Sequence, residues 1–442
     1  MRKIYLPIFI SLLMHGCVHG TKDVRITVRA EEPVYSFISP NNGSGPLWSY
    51  GCTVIARLGE DVYISQMETG ADIPPLCNTR WRLLKREQDG WRMIAEADAF
   101  RQREPCPLAR LSDSCLIMNV NDSTQPEGTK YGECEPHLLR FVFPGGSAQC
   151  GALRPAWTGR PNFTDHSYRG FAADPARNQL LMLNIDAKTS VQHACLLSAS
   201  GETLATGSIR FPIRACYPQV QLSKGRVSVL AISDIVEPVK EWRAYKFAQT
   251  QQSWDYVFRI LYFTETPNLF KQDFAEPIEI ANVDATGGYI SNKDLWVSPH
   301  GKAYILYTEC EVASALLRDK FHPGKSIINA LKLAVVKSQR IVERRTLLQG
   351  TEKSAPGEAR FHLTPEGTLW AVVYMNGEGG GNKLLRIHPA GSENRLLPIP
   401  LKTPMPGYCL ASARAGNQPS NIIDMAGCLP GNVMAYAQIT VR

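Results

Sequence analysis

The sequence predicts an all-β chain folded as a seven-bladed β-propeller with short helical insertions in its loops. Three observations carry this. The 442 residues are 44% hydrophobic and 20% charged, enough apolar material for a large core without the blocky charge of a disordered chain. A unit of two short apolar strands around a polar turn with Gly or Asp recurs along the chain. Between successive copies lies a further strand pair, so each repeat holds four strands.

In chain order, the first strand pair of each unit falls at 51–65, 105–120, 168–185, 217–233, 292–308 and 359–375, with a weaker copy over 409–441. The intervening pairs fall at 80–95, 137–153, 194–211, 257–280, 330–347 and 384–400. A four-stranded blade has two apolar faces that only neighbouring blades cover, so the repeats must close into a ring and residues 21–442 form one domain. Two β-sandwich domains are the competing architecture, and the regular recurrence of the turn unit favours the propeller. Residues 237–252 and 311–321 break the β rhythm with helical spacing and are expected as helices walling a pocket.

Residues 1–20 read as an export signal: Arg2 and Lys3 precede an apolar run from Ile4 to Met14, followed by Gly16 and Gly20. A lipoprotein-type signal at Cys17 is the weaker alternative. The expected location is secreted or periplasmic, with anchoring at the outer membrane if Cys17 carries lipid. No later stretch is apolar for long enough to cross a bilayer. Twelve cysteines in an exported chain invite disulfides, and Cys134 with Cys150 and Cys409 with Cys428 are the first pairs to examine. No zinc-type Cys/His spacing is present. The sequence requires no cofactor and leaves structural calcium open. The net charge of +7 is spread along the chain, which argues against nucleic acid and suits an acidic glycan. A monomer is expected.

The first strand of each propeller blade lines the central funnel, so residues at those strand starts converge. Aligned on the turns, the repeats place Arg169, Asp294 and Arg360 at one level and Tyr217 at another. The run Thr164-Asp165-His166-Ser167-Tyr168-Arg169-Gly170 is the densest in polar chemistry, followed by Arg360-Phe361-His362, while Arg214 precedes Tyr217. An Arg fork matches a uronate carboxylate and stabilises the enolate-like state left when its C5 proton departs. His or Tyr removes that proton, and a second such group protonates the leaving oxygen. His166, Tyr217, Arg169 and Arg360 are therefore the candidate catalytic residues. Tyr50, Tyr168, Arg214, Asp294 and His362 are the candidate substrate-binding residues. Hydrolysis by paired carboxylates is the rival chemistry, with Asp294, Glu309, Asp165 and Glu104 as its candidates. A sialidase-like Arg triad of Arg169, Arg214 and Arg360 with Tyr217 is a further form of that rival.

Ser298-Pro299-His300-Gly301-Lys302-Ala303-Tyr304 and Thr364-Pro365-Glu366-Gly367-Thr368-Leu369-Trp370 follow the spacing of the Ser-x-Asp-x-Gly-x-x-Trp turn of sialidase-type propellers, with His300 and Glu366 in place of Asp. With His166-Ser167-Tyr168-Arg169-Gly170, Cys216-Tyr217-Pro218, Asp294-Leu295-Trp296 and Ala359-Arg360-Phe361-His362, the chain resembles bacterial BNR-repeat propellers of the sialidase-like superfamily. More loosely it is similar to the seven-bladed lyases that release L-rhamnose from α-1,4-linked glucuronate, and to ulvan lyases. The resemblance implies an exported carbohydrate-active protein, with His as base or acid assisted by Tyr and Arg. It departs from those lyases in the first blade, where Trp48-Ser49-Tyr50-Gly51 stands in place of a second funnel His and leaves Tyr50 as the substitute. The expected activity is β-elimination at a uronic acid. A sialidase- or rhamnosidase-type hydrolase and a non-catalytic glycan- or protein-binding propeller are the alternatives.

Overall fold

The computed structural model describes residues 24–48, 51–144, 148–166, 169–390 and 395–442. Residues 1–23, which include the expected export signal and Cys17, and both Tyr50 and Tyr168 lie outside the described residues. Seven four-stranded antiparallel sheets form the ring, each with its strands in sequence order from the axis outward save the last. Blade 1 comprises Ile55–Leu58, Asp61–Thr69, Thr79–Glu87 and Gly90–Glu96, and blade 2 comprises Leu108–Ser112, Cys115–Ser123, Cys134–Val142 and Gln149–Leu153. Blade 3 begins at Gly170–Asp174, blade 4 at Ala215–Ser223, blade 5 at Tyr289–Val297 and blade 6 at Ser354–Leu363. Blade 7 takes Gly407–Leu410, Ile422–Leu429 and Val433–Val441 from the C-terminal end of the chain, and its outermost strand, Ile26–Ser36, from the N-terminal end. Ile26 pairs with Val441 and Ser36 with Val433, so the two ends of the chain lock the ring.

Strand alternation explains the core. In blade 3, Leu180 and Met182 pack toward blade 2, whereas Leu181 and Leu183 pack toward blade 4. Every junction has such an apolar layer, seven in all including the one between blades 7 and 1. At about 25 cal/mol per Å² of apolar surface removed from water, these layers are what a single blade lacks on its own. The two turns of sialidase-type spacing join inner to second strands in blades 5 and 6, where Gly301 at φ 74° and Gly367 at φ 85° hold the left-handed conformation the turn needs.

Helix α1 (Lys240–Thr250) and helix α2 (Ala315–Phe321) fall within the two segments expected to be helical. They occupy the connections between second and third strands of blades 4 and 5. Helix α1 is preceded and followed by a small ribbon, Ile235–Val236 with Tyr256–Val257. The helices meet through aromatic rings, Trp242 against His322 and Tyr245 against Phe321.

The disulfide expectation is corrected. All eleven described cysteines are unbridged. Cys134 opens its strand opposite Ser123, while Cys150 pairs with Phe141, seven residues further along, or roughly 23 Å at 3.3 Å per residue. Cys409 pairs with Ala426 and Cys428 with Gly407, so these two are diagonal neighbours at a separation of about 7–8 Å, longer than a disulfide spans.

Candidate functional site

Two cavities flank the ring axis. One, of about 380 Å³, opens where the inner strands begin, and the other, of about 280 Å³, lies where they end. The first is walled by Trp48 ahead of blade 1, Arg103 ahead of blade 2, His166 ahead of blade 3, Tyr217 at the start of blade 4, and Tyr289 and Asn292 in blade 5. The α1 insertion completes the wall with Asp234, Lys246, Trp254, Tyr256 and Phe258.

His166 is fixed by Glu104, whose Oε1 lies 2.5 Å from His166 Nδ1. Glu104 is almost fully buried. Burial alone would push its carboxyl up. The hydrogen bond and charge of His166, with Arg169 and Arg103 nearby, outweigh burial and hold it below the usual carboxylate range. An ionised carboxylate on Nδ1 sets the orientation and tautomer of the imidazole.

Tyr217 reaches the cavity through a change of register. The ladder between the two inner strands of blade 4 shifts between Cys216 and Gln219, and Tyr217 adopts φ 52°. Blades 5 and 6 shift at equivalent places, between Asn292 and Asp294 and between Pro356 and Ala359. Such bulges re-aim side chains that simple alternation would place elsewhere. The Tyr217 ring rests edge-on against Trp48, with centroids 6.2 Å apart, and against Phe258 at 5.7 Å. Asn292 Nδ2 donates to Tyr217 O at 2.9 Å, and Gln219 Nε2 donates to Asn292 O at 3.1 Å, which locks the bulges of blades 4 and 5 together. At the rim, Trp254 is 75% exposed and stacks on Tyr256 with centroids 4.6 Å apart and an interplanar angle of 27°.

The remaining expected residues have different settings. The Arg169 guanidinium is buried and donates to the backbone carbonyls of Asn119, Pro105 and Glu104. Arg360 contacts Glu358, Lys293 O and Ala359 O, and lines neither cavity. Lys293, half-buried, faces Glu358 at 3.6 Å, and desolvation lowers its pKa. Arg214 lies behind the cavity wall, donating to Asp234 O at 2.7 Å with its Nη1 3.0 Å from Asp234 Oδ2.

Asp294 and His362 line the opposite cavity. Asp294 accepts from Arg414, at 2.6 Å from Nη2, and from the Phe361 amide at 2.8 Å. Arg414 also donates to Val220 O and Gly51 O, so this one pair ties blades 4, 5 and 6 to the chain ahead of blade 1. Gly51, at φ 90°, sits so close to Gln219 that a Cβ would lie 2.2 Å from its Cγ. The His362 imidazole is 2.7 Å from Ser420 O, and burial lowers its pKa.

Of the carboxylates weighed for hydrolysis, Asp165 binds Arg103 at 3.0 Å, Glu309 binds Lys332, and Glu104 binds His166. The cavity that holds His166 and Tyr217 has one carboxylate, Asp234, among its described lining residues. Sequence reasoning missed Arg103, Lys246, Trp254 and Tyr256 as wall residues. The aromatic spacing Trp254-Asp255-Tyr256, directly after a polar helical segment, was the available signal. Among the described residues no group of His, Cys, Asp and Glu is arranged to hold a metal ion, and no described helix is long and apolar enough to cross a membrane.

No family model matches the chain, and no curated protein matches it in sequence. Solved structures match its fold. An ulvan lyase described as a polysaccharide lyase PL25, bound to -[GlcA(1-4)Rha3S]-, superposes with a TM-score of 0.58 at 9% identity, over 95% of this chain and 98% of that one. Polysaccharide lyase Uly1 gives 0.50 at 9% identity, over 94% and 93%. Hydrazine synthase of Kuenenia stuttgartiensis also gives 0.50, at 10% identity, over 90% and 98%. At such identities the likeness establishes the seven-bladed ring, and the presence of a hydrazine synthase beside two lyases shows how little the ring dictates the reaction.

Proposed function

We propose that the chain is an exported carbohydrate-active enzyme that cleaves an acidic glycan at a uronic acid by β-elimination. The observation that carries the proposal is the His166–Glu104 pair opening on the same cavity as Tyr217, under an exposed aromatic stack. In this reading His166, oriented by Glu104, removes the C5 proton. Tyr217 delivers a proton to the departing glycosidic oxygen, so the C4–O bond breaks as the C4–C5 double bond forms. Arg103 and Lys246 face the substrate carboxylate because they are the cations that line this cavity, which Arg169 and Arg360 do not, although Arg103 also pairs with Asp165 and Lys246 with Asp255. Trp254 and Tyr256 supply flat apolar faces for a sugar ring.

Elimination is favoured over hydrolysis because two-carboxylate hydrolysis needs an acid pair across the bond. Asp234, the one described carboxylate of the wall, is itself paired with Arg214. The two lyases that share the ring, one of them solved with a glucuronate-containing chain, support the same choice of substrate class. The test is to incubate the purified chain, without residues 1–20, with uronate-containing plant and algal glycans and follow the ultraviolet absorbance of the unsaturated uronate. Absorbance that grows with time and disappears in His166→Ala supports the proposal. Release of sugar without absorbance overturns it in favour of hydrolysis.

A further inference from the structure

On the face where the inner strands end, opposite the His166 cavity, the seam that closes the ring carries three arginines around one recess. Along the outermost strand of blade 7, Val24, Ile26 and Val28 turn into the apolar layer shared with blade 6, so Arg25, Thr27 and Arg29 belong to the other side. Arg25 and Arg442 exchange backbone hydrogen bonds at 2.7 Å and 3.0 Å, and Thr27 is paired with Thr440. Arg29 joins them at a change of register between Val28 and Ala30, and its Nε donates to Thr440 Oγ1 at 3.3 Å. These five residues line a recess of about 140 Å³, with no Asp or Glu among its described lining residues. All three arginines are exposed, and among the described residues none is ion-paired with a carboxylate. Their neighbours in the closing blades differ: Arg57 holds Asp424 at 2.6 Å, and Arg86 holds Glu32 at 2.7 Å.

We propose that this recess is an oxyanion site, taking sulfate or phosphate as the free ion or as an ester, and that the bound anion staples the two ends of the ring together. Residues opposed in a hydrogen-bonded antiparallel pair have Cα atoms about 5.5 Å apart, and like charges placed there repel. Arg25 and Arg442 are such a pair, with Arg29 beside them, and the recess holds no side-chain counter-charge. An anion seated among them replaces that repulsion with attraction to both strands. A tetrahedral oxyanion presents acceptors in several directions, which guanidinium groups arriving from two strands meet with charge-assisted hydrogen bonds. The hydroxyls suit the same ligand: Thr440 accepts from Arg29 and keeps its own proton to donate, and Thr27 stands opposite it. The cluster exists only when the first and last strands are paired, so binding favours the closed ring over the unfolded chain. The inference is independent of the reaction proposed above.

The full chain is unfolded by heat in a calorimeter, in sodium chloride, sulfate or phosphate matched in ionic strength. The expected midpoint rises with sulfate or phosphate and then levels off, by roughly 1–2 °C at ten times the dissociation constant for a chain of this size. A general salt effect grows without levelling off and is the same in every variant. Arg29→Gln and Arg442→Gln each remove the saturable rise and keep the general one. In dilute chloride alone, Arg25→Gln unfolds above the wild type, because the opposed like charges are gone. Glucose 6-sulfate and glucose 6-phosphate then replace the inorganic ions. A saturable rise with these esters supports a group carried on a larger molecule, and a rise with the inorganic ions alone supports the free anion. A rise that never levels off, or that persists in Arg29→Gln and Arg442→Gln, overturns the site. An Arg25→Gln chain less stable than the wild type in dilute chloride overturns the staple, since the arginine then stabilises the seam without an anion.

Discussion

Glu104→Gln is the substitution that separates the chemistry of the cavity from its architecture. The amide keeps the size of the carboxylate and removes its charge. Oε1 holds His166 Nδ1 at 2.5 Å, and Oε2 stands 4.0 Å from Arg169 Nε. Two unit charges about 4 Å apart interact by about 4 kcal/mol at an effective dielectric constant near 20. Solvating the ion again in the unfolded chain offsets part of this, so a net loss of about 3 kcal/mol is expected, at the lower end for a broken buried pair. Arg169 keeps its three carbonyl contacts, so the strand start does not collapse. With an unfolding entropy of roughly 2.1 cal/mol/K per residue over about 420 residues, that loss lowers the midpoint by roughly 3–4 °C in calorimetry. The rate should fall much further. A His whose Nδ1 faces a neutral amide, which donates as well as accepts, no longer has its tautomer and orientation fixed, and general acid–base assistance is worth about 10²–10⁴-fold. Initial rates from unsaturated-uronate absorbance, at saturating glycan, read that loss in kcat. A folded Glu104→Gln protein that turns over at the wild-type rate would refute the assignment of proton transfer to His166.

Three further outcomes follow from the geometry. Trp254→Ala, at a residue three-quarters exposed, should raise KM roughly tenfold, about 1.4 kcal/mol of binding, while leaving kcat and the unfolding midpoint unchanged; steady-state kinetics on the same glycan checks it. Arg414→Met strands Asp294 as an unpaired buried charge and should cost about 3–5 kcal/mol in denaturant unfolding, with part regained in the Arg414→Met, Asp294→Asn double variant. Acid should lower the stability of the protein in two stages. His362 has its pKa lowered by burial, so the unfolded chain binds that proton more readily, and stability present above the ordinary value of 6.5 is lost as pH falls below it. Glu104 is held below its ordinary 4.5, so its contribution persists above that value and is lost as pH falls through the depressed one. Midpoints measured against pH show both stages in the wild type, and His362→Gln removes the first.

The ring was legible because its signal is repeated. Each inner hairpin carries alternate apolar residues toward two neighbours, as Leu180 to Leu183 do, and the pattern returns blade after blade. The closing strand was not legible. Ile26–Ser36 carries Glu31, Glu32 and Pro33, its residues are only half-buried, and its partner strand lies about 400 residues away, so no local pattern announces it. The disulfide expectation failed for a related reason: closeness in sequence brings cysteines onto one sheet without bringing their sulfurs together.

The candidate site shows the same division. His166 and Tyr217 could be picked out by type and repeat position, yet Glu104, 62 residues before His166, was visible only as a carboxylate in search of a partner. The arginines misled in an instructive way. A propeller brings the ends of its inner strands together at the axis, where carbonyls turned away from any ladder still need donors. Arg169, with its three carbonyl contacts, and Arg414, reaching Val220 and Gly51, meet that need. A cation at a strand start is therefore poor evidence of an acidic ligand in this architecture, because the fold itself is an equally good customer for its hydrogen bonds. Residues on the connections share that duty only in part: Arg103 donates to Asn42 O and Asp165 and Lys246 pairs with Asp255, while Trp254 stays three-quarters exposed. Arg103, Lys246, Trp254 and Tyr256 all lie there, so change in substrate recognition should concentrate in the α1 insertion and in the loops ahead of blades 1 to 3, while the inner-strand arginines stay bound to the scaffold.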